Sequence, residues 1–146
     1  QRRVGRHLYF RQHAVIMRIV FSRSPNVGSW LIRLLTFSKW SHVALVDGAL
    51  VYEARYPKVQ VTPLAEFLKR NRDFEYRQIE GDPRLIRAEV GKPYDWLAVV
   101  AMLNPWREWD TDDKWFCSEL VAHATGAFFD VGRVTPQMLY LISRPV

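Results

Sequence analysis

The chain has 146 residues, 49% hydrophobic and 14% aromatic, enough for one buried core and too few for two. Its net charge is +6, yet Arg2, Arg3, Arg6 and Arg11 lie in a stretch without an acidic residue, and the later arginines alternate with acids as on a solvated face. With no arginine-rich helix or aromatic ribonucleoprotein motif, a specific nucleic-acid partner is excluded; one cysteine excludes an internal disulfide and any cysteine-cluster metal site.

Residues 1–16 read as a tail, a leader or an expression remnant, and Met17 as a natural start for one domain running to residue 146. Arg18 breaks the apolar stretch, so there is no secretory core. The apolar runs, interrupted by Arg18, Arg33 or Asp95, are too short for a transmembrane segment. A soluble, cytoplasmic or phage-associated protein is expected.

Along the chain, Ala14 to Phe21 predicts a first strand and Ser22 to Asn26 a loop. Trp30, Leu31, Leu34 and Leu35 recur at helical spacing and predict a short amphipathic helix ending before Ser38. Ser41 to Val46 and Leu50 to Ala54 are alternating runs around Asp47-Gly48. Val59 to Val61 is another strand, Thr62-Pro63 opens a helix from Leu64 to Arg70, and Phe74 to Ile79 is a strand. Asp82-Pro83 then caps a helix with an apolar face of Leu85, Ile86 and Val90, ending at Gly91. A helix from Tyr94 to Met102, a loop from Asn104 to Lys114, a helix opening at the cysteine and a last helix from Pro136 to Leu141 follow. Strands before residue 80 and helices after it define an α+β domain, an antiparallel sheet packed against helices that include the cysteine helix.

The only cysteine, Cys117, precedes Leu120, Val121 and Ala124 at helical spacing and so opens a helix. Unpaired backbone N–H groups and the helix dipole favour a thiolate there, and the same N–H groups can hold an oxyanion. A free cysteine is also among the most buried residue types, so a small core hydrophobe is the competing reading. A nucleophile needs a base and a group that orients it. Among four histidines, His7 and His13 lie at the N-terminus, and His123, six residues along the same helix, faces another side. His42 remains, either as that base or as a core histidine on its strand. If Asp47-Gly48 is a two-residue loop, Val46 pairs with Ala49, Ala44 with Val51 and His42 with Glu53, with β-carbons roughly 5 Å apart. Glu53 then orients His42; with a three-residue loop it would point away and remain a solvent-facing charge. Tyr94, stiffened by Gly91 and Pro93, is either an oxyanion or substrate donor or a core tyrosine. Trp96, Trp106, Trp109 and Trp115 read as core and groove wall or as a contact surface.

Gly91-Lys92-Pro93-Tyr94-Asp95-Trp96 and Phe116-Cys117-Ser118-Glu119-Leu120-Val121 resemble the glycine-x-proline-tyrosine block and the cysteine helix of papain-like enzymes of the NlpC superfamily. Ser41-His42-Val43-Ala44-Leu45-Val46 precedes the cysteine here, which resembles the circularly permuted order of the YaeF/YiiX branch and of the lecithin retinol acyltransferase-like enzymes. The resemblance covers about residues 17–142. It implies Cys117 as nucleophile, His42 as general base, Glu53 as third polar residue, and Tyr94 and Ser118 as substrate or oxyanion contacts, with no metal or cofactor. The chain lacks the acyltransferases' asparagine-cysteine-glutamate-histidine motif and their second histidine, which points to hydrolysis over acyl transfer. Phe116 stands where peptidoglycan peptidases usually have an aspartate. The expected substrate is a small-molecule, peptide or lipid-linked acyl compound. A binding or assembly module that keeps the fold without turnover is the alternative.

Overall fold

Residues 15–23 are rich in β-branched and aromatic side chains, and from Ile19 to Ser22 every residue is buried, the pattern of a strand covered on both faces. This strand, β1 (Val15–Arg23), lies inside the sheet, antiparallel to β2 (His42–Asp47) on one side and β5 (Asp73–Gly81) on the other. The computed structural model describes residues 12–97, 114–126 and 134–146. Within them the fold is α+β. A six-stranded antiparallel sheet in the order β4-β3-β2-β1-β5-β6 is completed by β3 (Leu50–Arg55), β4 (Lys58–Pro63) and β6 (Arg144–Pro145). β1 opens at Val15, two residues upstream of Met17, with Val15 opposite Gly81 and Ile16 opposite Glu80. The proposed tail up to residue 11 lies outside the described residues.

Among the described residues, the helices α1 (Val27–Thr36), α2 (Leu64–Arg70), α3 (Pro83–Arg87), α4 (Cys117–Thr125) and α5 (Pro136–Ile142) accompany the sheet. Their starts follow local chemistry. Asn26 caps α1 by accepting from Ser29 N–H at 2.7 Å, Asp82 caps α3, and Thr135 caps α5 ahead of Pro136. α3 is shorter than the sequence pattern predicts, because the chain after Arg87 leaves the helix in turns that reach Gly91 at φ 95. Tyr94 is not helical: it bridges to Trp115, and helix begins at Trp96. The rest of that predicted helix, residues 98–102, and most of the predicted loop at 104–114, with Trp106 and Trp109, fall outside the described residues. α1 forms as predicted but presents Trp30 and Leu34 to solvent, while Ile32 packs inward.

The alternation of the strands sorts side chains into two layers. Met17, Ile19, Phe21, Val43, Leu45 and Ala54 meet Ile86, Leu120, Val121, Ala124 and Leu139 from α3, α4 and α5. On the other face Val20, Ala44, Val46 and Val51 meet Phe67 of α2, with Leu64 and Leu68 beside it. At Gly81 an added Cβ would lie 2.8 Å from the Ala124 carbonyl oxygen, so the end of α4 presses directly on β5 there.

Candidate active site

The β2–β3 turn sets the site's geometry. Asp47 pairs with Leu50, Val46 with Val51 and Leu45 with Tyr52, so the two loop residues are Gly48 and Ala49, not Asp47 and Gly48. Gly48 has φ 58, the positive value that the first position of a type II′ hairpin requires. The expected direct pairing of His42 with Glu53 is therefore corrected: the register is displaced by two residues. An even displacement keeps the parity, and the two side chains remain on one face as diagonal neighbours. His42 Nε2 and Glu53 Oε2 are 3.1 Å apart.

Glu53 is fully buried in the layer beneath α2. A buried carboxylate is stable only with partners for its charge and lone pairs. Besides His42, it accepts from the Thr62 hydroxyl at 3.3 Å and from Arg70 Nη2 at 2.6 Å on one oxygen and 2.9 Å on the other. Burial alone would push its pKa up. The His42 hydrogen bond, the His42 charge and the Arg70 charge outweigh that and hold Glu53 down at about 2.

His42 is the first residue of β2. By alternation it belongs to the α2 face, where its ring stacks on Phe67 at 6.1 Å between centroids. At the end of the strand it also reaches the thiol of α4, which packs on the opposite face. Burial disfavours the imidazolium, but the hydrogen bond to Cys117, that to Glu53 and the negative charge of both raise His42 to about 9. With Nε2 on Glu53, Nδ1 is the ring nitrogen left for the thiol.

Cys117 is the first residue of α4 and is 1% exposed, with Sγ 3.9 Å from the Ser41 carbonyl oxygen. Its N-cap, Phe116, makes no side-chain capping bond, so the orphan N–H groups of the first turn are not closed from that side. Tyr94 is fixed alongside: Trp115 N–H donates to Pro93 O at 3.0 Å and Asp95 N–H to Trp115 O at 2.9 Å. Its ring lies 6.2 Å from that of Phe116. Burial first, then the charges of Cys117, Asp95 and Glu119, raise the Tyr94 pKa, so its hydroxyl keeps its proton.

Cys117, His42, Glu53 and Tyr94 are thus brought together, and Ser118 is not. Ser118 is fully buried and its hydroxyl donates to the Val134 carbonyl, so only its backbone faces the first turn of α4. His123 packs against Trp115 with centroids 4.9 Å apart. Sequence reasoning missed Arg70 and Thr62. The signal for Arg70 was the need of a buried carboxylate for a cation, but α2 meets Glu53 only through tertiary packing. Among the described residues, no group of three or more His, Cys, Asp or Glu side chains is placed to hold a metal ion.

These elements define an α+β protein whose cysteine helix packs on an antiparallel sheet. A solved structure of similar fold is that of metalloprotein yiiX from Escherichia coli O157:H7, DUF1105. The chain is similar to it at a TM-score of 0.58 and 25% identity over 75% of its own residues, and spans 66% of the length of that neighbour. No protein-family profile matches the chain. No curated protein matches it either. Among the described residues no helix is long and apolar enough to cross a membrane.

Proposed function

We propose that the protein is a cysteine hydrolase of the papain-like, circularly permuted NlpC type, cleaving an amide, ester or thioester through an acyl-enzyme on Cys117. The observation that carries this reading is the imidazole of His42 held between a buried carboxylate and the thiol at the start of α4. His42, oriented by Glu53, takes the thiol proton, which leaves a thiolate on Cys117 facing an imidazolium. The thiolate attacks the acyl carbon, and first-turn N–H groups of α4 and the Tyr94 hydroxyl receive the oxyanion. His42 gives its proton to the leaving amine, alcohol or thiol as the bond to it breaks. A water molecule, deprotonated by His42, then hydrolyses the thioester and restores the thiol. Glu53 keeps the ring oriented, and Arg70 and Thr62 keep Glu53 ionised and in place.

The neighbour is described as a metalloprotein, whereas the described residues here offer no group of three or more His, Cys, Asp or Glu side chains suited to a metal. Peptides of a bacterial wall and lipid-linked acyl groups both suit the chemistry, in a bacterial or phage-encoded protein. The near-complete burial of Cys117 favours the second reading, a module that keeps the fold without turnover. A thiol-directed acyl probe separates them. An activated Cys117 reacts far faster than glutathione at neutral pH and His42→Ala slows it on the order of a hundred-fold or more; reaction at the glutathione rate supports the inactive module.

A further inference from the structure

Helix α1 has a face that the site does not use. Inward, Ser29 is buried and its hydroxyl lies 2.6 Å from that of Ser41, while Ile32 packs against the larger core. Outward, Val27, Trp30 and Leu34 follow one another at helical spacing and are 79%, 55% and 54% exposed, and Phe37, the left-handed C-cap, is 91% exposed. A helix that served only to cover the sheet would turn such side chains inward.

The segment that carries α1 has charges of one sign, and Asp73 reaches it only to pair with Arg23. From Arg23 to Val46 the chain contains Arg23, Arg33 and Lys39 and no acidic residue. Arg23 is paired with Asp73, Arg33 lies in the last turn of α1, and the Lys39 ammonium sits 4.6 Å above the Trp40 ring. A second copy docked on this stripe would bring like charges together. An anionic lipid surface complements both features, since bulky apolar side chains enter the headgroup boundary while cations stay at phosphate level.

We propose that α1 docks on an anionic lipid bilayer. Ser29 ties α1 to Ser41, the residue before His42 and the one whose carbonyl faces the thiol, so docking sets the site beside the membrane surface. Resting on the hydrolase reading, this selects acyl groups of lipid-linked or membrane-bound compounds as the substrate class.

The test uses the full chain and vesicles of phosphatidylcholine with about 30% phosphatidylglycerol, in a cosedimentation assay. Wild type should bind these and bind pure phosphatidylcholine much more weakly. Trp30→Ser/Phe37→Ser should lose roughly ten-fold or more in binding with an unchanged circular dichroism spectrum, because both residues are exposed. Equal binding by the double variant overturns the proposal, since basic N-terminal residues alone would then account for attachment. So does the absence of binding by wild type, or a stripe-dependent dimer in sedimentation velocity that ignores vesicles. Cys117→Ser should bind vesicles as wild type does, so docking and chemistry fail separately. The double variant should keep turnover on a soluble acyl thioester and lose it on an acyl lipid in the vesicle; equal losses on both overturn the substrate assignment.

Discussion

The two faces of the sheet are built by different means. The face under α3, α4 and α5 is a continuous apolar layer from Met17 to Leu139, stabilised by close packing. The face under α2 is a smaller cluster around Phe67, and beside it lies the buried ion network of Glu53, His42 and Arg70. An apolar layer tolerates pH and loses stability in proportion to volume and fit; an ion network tolerates changes of volume and loses stability when one charge is removed. The candidate site draws on both, taking its thiol from the first face and its charged partners from the second.

The largest expected effect comes from breaking the network. Glu53→Gln leaves the Arg70 guanidinium and the His42 ring without a buried anion, and should destabilise the fold by about 3 kcal/mol in urea titrations. Its pH profile should change as well. In wild type the raised pKa of His42 contributes stability in full below about 6.5 and loses it as pH rises through about 9. The lowered pKa of Glu53 contributes above about 4.5 and loses its share as pH falls through about 2. Urea midpoints should thus be highest near pH 4.5–6.5, and Glu53→Gln should flatten both slopes. An unchanged profile would mean that the network does not set this dependence.

On the apolar face, Gly81→Ala tests fit in place of charge. The new methyl group meets the Ala124 carbonyl oxygen, which cannot move without α4, and about 2 kcal/mol of stability should be lost, with little variation across that pH range. A loss below about 0.5 kcal/mol would show that α4 shifts freely against β5. The smallest effect belongs to the surface. Asp47 and Arg87 form an ion pair with both side chains more than 40% exposed, and Asp47→Asn should change stability by less than about 0.5 kcal/mol. A larger change would reveal a contribution of this pair to the β2–β3 turn.

Much of this was legible in local chemistry. The helix start at Cys117, the turn near Asp47-Gly48, the cap at Asp82 and the helix start at Pro136 depend on a few neighbouring residues, and the strands depend on alternation. The shared face of His42 and Glu53 was legible because it depends only on the parity of the loop; the register itself was not, since Leu50 and Asp47 gain as much by pairing as by turning. Arg70, Thr62 and the inward turn of Ser118 were not legible. Each depends on which side of the sheet a distant helix covers, and no local pattern carries that. The exposed face of α1 was hidden for a related reason, because apolar residues at helical spacing look the same whether they meet a core or water.

The order of the site's residues along the chain also has a consequence for assembly. His42, Glu53 and Thr62 lie on β2, β3 and β4, a meander of consecutive antiparallel strands that pairs through short connections. The proposed nucleophile, Cys117, comes much later, on α4, which needs β1, β2 and β5 in place before it has a surface to pack on. During synthesis the meander can pair while the cysteine is still unmade, and long-range closure comes last. A ribosome-bound fragment ending before residue 117 would hold the imidazole and its carboxylate and yet be inert toward the acyl probe. The thiol meets His42 only when the fold closes, so under the proposed function the reactivity of Cys117 would itself report complete folding.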